Sequence, residues 1–352
     1  MSTGTAKLSE LQEIPFLAKD IDAWRMLSST SFFVNDEWHF WFPFPDGLRK
    51  LAARPSEGNY FGDKSERVDD LRLPYLEFMA QHIMCQPVAF FARGIENDFH
   101  SLAASLGKFK LFYRESKRDR AEVRRFVETE VEYILMVCRS MFDLLQELIS
   151  TMLGLTVTLE GKKGRSGQLP KSFAKMIERG GQPMARDEIQ SVHDISPRFA
   201  DWYASHGDFF LRIRRLRDGL VHSGQSVPKT LYVLDRGFAV PRDNPTFEDF
   251  YAWPNECEAP NGLVPLRPVI GLVIAYTLGA FYSFAHVFGT EVRLPGQIAP
   301  GLGYYMRGFH NRELLELRDV IERALWDEDE AQLGSPPTEP LDDSTKRPET
   351  RP

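Results

Sequence analysis

The sequence has few of the features that mark secreted, disulfide-stabilised or metal-binding proteins. Its 352 residues include three cysteines, Cys85, Cys138 and Cys257, and none of them belongs to a CxxC pair. This pattern predicts reduced thiols in a cytoplasmic protein and gives no support to a zinc site. We expect neither a metal nor a cofactor. Residues 1–7 also lack the basic and then apolar order of a signal peptide.

The chain has no excess of positive charge. Lys and Arg total 43 against 50 Asp and Glu, which gives a net charge of −7. The molecule as a whole therefore does not attract nucleic acid, and any such contact needs a local basic patch. No internal repeat is evident, which argues against a solenoid.

One long apolar run, at residues 269–289, could be mistaken for a membrane span because about 20 apolar residues cross a bilayer. The run contains Tyr276, Tyr282, Ser283 and His286, and its flanks show no strong Lys/Arg asymmetry. We expect a buried central helix and no membrane.

A long helix is the clearest structural prediction. Residues 118–153 contain no Pro or Gly, and apolar residues recur there at alternating spacings of four and three. Such a seam needs a partner surface, supplied by a helix bundle or by a second chain. The members of the seam are Val127, Val131, Ile134, Cys138, Met141, Leu145, Leu148 and Met152.

The rest of the chain is predicted from shorter signals. Residues 32–42 are typical of a hairpin that turns at Asn35 and Asp36, and residues 231–240 are typical of a second hairpin. Residues 171–179 predict a short helix closed by Gly180. A third major helix is predicted over 197–221 by Pro197 at its first position, with Ser196 as its cap, and by the apolar residues that follow. Residues 311–326 predict an amphipathic helix.

These elements predict a mainly α protein, an up-and-down helix bundle with an N-terminal α/irregular extension and small β-hairpins. The predicted divisions are an aromatic-rich extension at 1–115, the bundle at 116–292, a C-terminal helix at 293–328 and a disordered tail at 329–352.

The sharpest chemical signal lies at the end of the third helix, in the run Arg217-Asp218-Gly219-Leu220-Val221-His222. Residues four apart share a helix face, so Asp218 is placed to pair with Arg214 and to accept a hydrogen bond from His222. A neighbouring carboxylate raises the pKa of an imidazole and fixes its tautomer. Arg217 and His222 are about 140° apart on an ideal helix. They converge only if the helix loosens near Gly219 or if facing chains contribute them.

This residue set suits phosphodiester chemistry. His222 can move a proton on or off a ribose 2′-hydroxyl, and Arg217 can hold the phosphate and stabilise its developing charge. Arg212, Arg214 and Arg215 crowd the same part of the helix and are candidates for phosphate or RNA binding. Alternatively, the run has no catalytic role and is an ordinary helix end, because a histidine at a helix C-terminus interacts favourably with the helix dipole.

The run resembles the Arg-x4–6-His motif of the HEPN superfamily, in which a polar residue such as Asp218 follows the Arg. The helix containing residues 139–145 resembles the first helix of that family, and the resemblance covers about residues 118–290. It implies an up-and-down bundle with the motif near the end of its third helix. The sequence departs from the family in its long N-terminal region, its extra hairpin, its acidic charge, and Ser223 in place of a Tyr that some nuclease members have.

The resemblance implies a metal-independent endoribonuclease in which Arg217 and His222 of two protomers meet at a homodimer interface. Asp218 would position them, and Asp143 and Ser223 would support the site. Three alternatives stay open: this enzyme; a non-catalytic module of the same fold that binds RNA, a nucleotide or a partner protein; and a structural or membrane-associated protein in which the motif is merely a helix end.

Overall fold

The structure is a computed structural model of the chain. It describes residues 6–21, 25–156, 169–222, 231–243, 247, 250, 253, 257–259 and 261–327. For residues 217–222 it describes the backbone alone. The predicted disordered tail at 329–352 lies outside the described residues.

Helices account for about half of the chain. In chain order they are α1 (Leu8–Leu11), α2 (Pro74–Phe78), α3 (Gln86–Glu115), α4 (Arg120–Leu155), α5 (Phe173–Ile177), α6 (Arg186–His193), α7 (Pro197–His222), α8 (Arg267–Glu291), α9 (Asn311–Leu315) and α10 (Leu317–Glu322). A π-helical turn, Met79–Ile83, follows α2 directly.

The strands in the described part of the chain form three sheets. Their bounds are β1 (Ser31–Val34), β2 (Glu37–Phe44), β3 (Gly47–Leu51), β4 (Gly58–Gly62), β5 (Glu178–Arg179), β6 (Gln182–Pro183), β7 (Tyr232–Leu234), β8 (Gly237–Pro241), β9 (Leu263–Pro265) and β10 (Gly303–Arg307). The largest sheet has the order β10-β4-β1-β2-β3, β5 pairs with β6, and β7, β8 and β9 form a third sheet.

The two predicted hairpins are confirmed. In the first, β1 and β2 are antiparallel and turn at Asn35 and Asp36, whose φ angles are 54° and 64°. Two positive φ angles match the right-handed twist of the strands. The second hairpin is β7–β8, which gains β9 as a third strand.

The predicted fold class, a mainly α up-and-down bundle, is wrong. The chain is 54% helical and 17% strand, with a five-stranded mixed sheet, and is therefore a mixed α/β protein. The sheet grows beyond the hairpin because β4 joins β1 in parallel and β10 joins β4. Both added strands are five-residue segments, and β10 lies where a C-terminal helix was predicted. Their pairing is long-range, so no local periodicity marks it.

The predicted long helix is confirmed as α4, and its seam is the centre of the core. All eight seam residues are at most 2% exposed. The partner surface comes from the chain itself, because α3, α7 and α8 all pack on α4. A single hydrophobic cluster runs from Leu11 to Leu317 and includes this seam. The division at residues 115 and 292 stays a prediction.

Helix α8 covers the apolar run 269–289 and lies inside the protein. It is the one helix among the described residues that is long and apolar enough to cross a membrane. Buried residues make up 67% of its most apolar window. The expected absence of a membrane partner stays a prediction.

Candidate functional site

An arginine-lined cleft lies beside the last turns of α7. It lies between α7 and the β5–β6 hairpin, is open to solvent and has a volume of ≈ 560 Å³. We call it the arginine cleft. The side chains that define it belong to Glu178, Pro183, Asp208, Arg212, Arg214 and Arg215. The cleft therefore contains all three arginines that the sequence predicts as phosphate ligands.

Helix α7 is held in place by its own apolar face. Pro197 occupies its first turn, and the Ser196 hydroxyl accepts a hydrogen bond from the Phe199 N–H at 3.4 Å, as the sequence predicts. Tyr203, Phe210 and Ile213 follow at helical spacing and are fully buried. Because this face is packed into the core, the arginines lie toward the hairpin and solvent.

The hairpin that faces the arginines was not predicted. Gly180 and Gly181 have φ angles of 59° and 80°, so they form a tight two-residue β turn. The sequence interpretation made Gly180 the end of a helix, but α5 ends earlier, at Ile177. This turn places Glu178 against α7, where it becomes part of the cleft.

The described lining of the cleft carries charges of both signs. An Arg214 Nη1 N–H donates to Glu178 Oε2 at 2.6 Å, and both side chains are partly exposed. Asp208 is the second carboxylate of the lining. Three guanidinium groups and two carboxylates therefore line the cleft, and guanidinium groups are the side chains that pair best with phosphate oxygens.

The backbone of the predicted catalytic run continues the same helix. Helix α7 is unbroken through Gly219 to His222. At about 1.5 Å per residue, the His222 backbone lies ~10 Å beyond Arg215. On a continuous helix positions 217 and 222 are about 140° apart, so convergence on one ligand would require a second chain.

The side chains of Arg217, Asp218 and His222, and the whole of Ser223, lie outside the described residues. Their roles stay predictions. The same holds for the expected pairing of Arg214 with Asp218, since the described contact of Arg214 is with Glu178.

The described contacts of Asp143 lie on α4 and at the start of α5. Its Oδ2 pairs with Arg139 Nη1 at 2.7 Å. Its Oδ1 accepts the backbone N–H of Phe173 at 3.2 Å and lies 3.5 Å from the Ser172 hydroxyl. Asp143 therefore anchors the start of α5 on α4, and its support of Arg217 stays a prediction.

Two residues of the cleft, Glu178 and Asp208, were not predicted from the sequence. Glu178 and Asp208 are acidic residues among many, and each becomes part of the site through a tertiary contact. The Gly180-Gly181 pair could have indicated the position of Glu178. Two adjacent glycines also suit a hairpin turn, and such a turn folds Glu178 back against a neighbouring element. Among the described residues, no group of three His, Cys, Asp or Glu side chains is placed to hold a metal ion.

Comparisons with known proteins do not assign a family to the chain. No family model, no curated protein and no solved structure matches it. The arginine cleft and the motif that follows it along α7 are therefore the features that bear on function.

Proposed function

We propose that the protein binds RNA in the arginine cleft and cleaves it without a metal ion, through Arg217 and His222. The observation that carries the proposal is the placement of Arg212, Arg214 and Arg215 around one cleft, about two to three turns before His222 on the same helix. Guanidinium groups hold phosphate oxygens through paired, charge-assisted hydrogen bonds. The resemblance of the 217–222 run to the HEPN motif supports the second half of the proposal.

The proposed reaction is attack by a ribose 2′-hydroxyl on the adjacent phosphorus. His222 removes the proton from the 2′-oxygen, which forms the new P–O bond while the bond to the 5′-oxygen breaks. The leaving 5′-oxygen takes up a proton from solvent and His222 releases its proton to solvent, so the products are a 2′,3′-cyclic phosphate and a 5′-hydroxyl. Arg217 stabilises the negative charge that develops on the phosphoryl oxygens. Asp218 would hold the imidazole in the tautomer that accepts the proton.

The proposed active form is a homodimer, in which Arg217 of one protomer and His222 of its partner meet. The continuous helix supports this arrangement, because the two positions lie about 140° apart on one chain. Mixing Arg217→Ala and His222→Ala proteins tests it. A mixed dimer contains one site with both native residues, so cleavage should recover in part after subunit exchange. Continued inactivity of an exchanged mixture would refute the shared site.

Binding is tested with a fluorescently labelled single-stranded RNA. The double variant Arg212→Gln/Arg215→Gln should lower its affinity at least about tenfold at ~50 mM salt and reduce the slope of log K against log salt by ~1.4. The matched control is Arg198→Gln, an exposed arginine at the opposite end of α7. An unchanged slope in the double variant, or equal losses in the control, would contradict RNA binding in this cleft.

Cleavage is tested separately in EDTA. The native chain should cut single-stranded RNA and leave cyclic phosphate ends, and His222→Ala should abolish cutting while leaving binding intact. Cutting that disappears with EDTA, or that persists in His222→Ala, would contradict the proposed chemistry.

A second candidate is binding without cleavage. It is favoured by the position of the cleft, which is built from Arg212, Arg214 and Arg215 and does not need the catalytic run. This candidate predicts salt-dependent RNA or nucleotide binding that is lost in the arginine double variant, with no cyclic phosphate produced by any form of the protein.

A further inference from the structure

One face of β2 carries an exposed row of phenylalanines, which we call the aromatic ladder. Phe40, Phe42 and Phe44 alternate along the strand and therefore lie on the same face of the sheet. The ring centroids of Phe40 and Phe42 are 6.3 Å apart, and those of Phe42 and Phe44 are 5.8 Å apart. Phe42 is 47% exposed and Phe44 is 38% exposed. Contiguous exposed apolar side chains of this kind mark a surface that binds another group.

The opposite face of β2 holds the strand on the protein. Trp41 packs against the hydrophobic core, and the rings of His39 and Phe16 have centroids 4.8 Å apart. Alternation along the strand then places the aromatic ladder on the side that faces away from this packing. The ladder is therefore free to contact a further partner without disturbing the core.

Two cations of β3 border the aromatic ladder. Arg49 is the cross-strand neighbour of Phe42, and its guanidinium carbon lies 4.8 Å from the centroid of the Phe44 ring. Arg49 forms an ion pair with Asp46 at 2.5 Å, and both side chains are more than half exposed. An ion pair so open to solvent contributes little, so a second carboxylate can compete for the arginine. Lys50, the next residue of β3, is also exposed.

The chain itself contains a segment with matching chemistry, residues 335–343, which lies outside the described residues. Its sequence is Ser-Pro-Pro-Thr-Glu-Pro-Leu-Asp-Asp, with three prolines, three carboxylates and no cation. Pro337 and Pro340 are separated by one turn of a polyproline II helix, so this spacing places both rings along one edge. Proline-rich segments dock on aromatic surfaces at a low entropic cost because the extended backbone is preformed.

The length of the chain allows the segment to reach the ladder. It begins 8 residues after Asp327, the last described residue, and ends 16 residues after it. Those residues span roughly 25–55 Å when extended, whereas a compact chain of this length has a radius of gyration of ~20 Å. Because the segment is tethered, its local concentration near the surface is high and weak contacts suffice for docking.

We propose that residues 335–343 dock on the aromatic ladder of the same chain. The prolines lie against Phe42 and Phe44, and the carboxylates are bound at Arg49 and Lys50. Docking removes the two exposed rings from water, which favours the bound form. The ladder is separate from the arginine cleft, and the proposal does not depend on RNA binding.

The test places the photo-crosslinking residue p-benzoylphenylalanine at position 42 of the full chain. Irradiation should join this position to residues 335–343, as identified by peptide mass spectrometry, in a product with the mass of one chain. The matched control carries the same residue at position 126, where the native Phe126 is 43% exposed on α4. The control should give at least about tenfold less crosslink to the segment. No crosslink from position 42 to the segment, an equal yield from position 126, or a crosslink between two chains would overturn the proposal.

Variants separate the two kinds of contact. Pro337→Gly/Pro340→Gly keeps every charge but removes both rings and loosens the backbone, so it should lower the yield at least about fivefold. Full yield in this variant would refute docking through the prolines.

A charge exchange tests the second contact. Arg49→Glu/Lys50→Glu should also lower the yield, and adding Asp342→Lys/Asp343→Lys should restore part of it because the opposite charges face each other again. Arg318→Glu, at an arginine that is 81% exposed elsewhere on the surface, should leave the yield unchanged. No recovery in the exchanged chain would refute the charged contact.

Added single-stranded RNA distinguishes this docking from base stacking, since exposed aromatic rings can also stack on bases. Irradiation with RNA present at low salt should leave the yield of the crosslink to residues 335–343 unchanged. A crosslink from position 42 to RNA in place of the segment would overturn the proposal.

Discussion

The buried carboxyl of Glu96 should make the protein less stable as the pH rises, and Glu96→Gln should remove this effect. Glu96 lies on α3 and is 9% exposed. Desolvation by burial raises the pKa of its carboxyl from 4.5 to about 7, against the lowering influence of Arg93, Tyr304 and Asn59. The folded state therefore holds this proton more tightly than the unfolded chain does.

The sign and size of the effect follow from this difference in proton binding. Because the carboxyl pKa is raised, the contribution of Glu96 to the unfolding free energy is fully present below pH 4.5. It declines as the pH rises from 4.5 to 7 and is lost above pH 7. The gap between the two pKa values, at ~1.4 kcal/mol per pKa unit, corresponds to a maximum of about 3 kcal/mol. Glu96→Gln has no charge to desolvate, so it should gain most of that amount at pH ~8 and little at pH ~4.5.

The assay is urea unfolding followed by circular dichroism at several pH values between ~4.5 and ~8, on the native chain and on Glu96→Gln. The matched control is Glu115→Gln, an exposed glutamate at the end of the same helix. The difference in unfolding free energy between Glu96→Gln and the native chain should grow with pH, and the control should stay near zero. A difference that does not change with pH would refute the reasoning.

Three further predictions concern the cleft, the core and the large sheet. Glu178→Gln should tighten RNA binding in a fluorescence titration, because it removes a carboxylate that pairs with Arg214 inside the cleft; weaker binding would mean that Glu178 chiefly shapes the site. Phe142→Ala should cost about 3–5 kcal/mol in urea unfolding, since this fully buried ring contacts four other aromatic rings; a loss below ~1 kcal/mol would contradict the packing. Arg307→Met should destabilise the fold by about 3–5 kcal/mol, because it leaves Asp70 buried without its cation. The double change Arg307→Met/Asp70→Leu should recover part of that loss, and no recovery would argue against the pair.

The helices of the core were predictable because their signals are local. The seam from Val127 to Met152 identifies α4 by its spacing alone, and Pro197 with Ser196 marks the start of α7. The Asn35-Asp36 turn identifies the first hairpin in the same way, since the turn residues and the flanking aromatic strand residues are neighbours in sequence. In each case the physical cause acts within a few residues.

The mixed sheet and the acidic half of the cleft were not predictable in this way. Strands β4 and β10 are held by pairing with each other across more than half of the chain, and each is too short to show a reliable period. Glu178 joins the site because a Gly-Gly turn folds it back against Arg214. The arginines could be named in advance because their density in one helix is visible in the sequence, whereas their carboxylate neighbours depend on the fold.

The pairing of β10 with β4 sets the order in which this chain can mature during synthesis. Until residues 303–307 leave the ribosome, β4 has β1 on one side and an unsatisfied edge on the other. An open edge of this kind is a template for pairing with other chains. A nascent chain must therefore keep that edge protected while the intervening helices emerge and fold. A chain that terminates near residue 292 never gains β10, so it should aggregate through the open edge of β4.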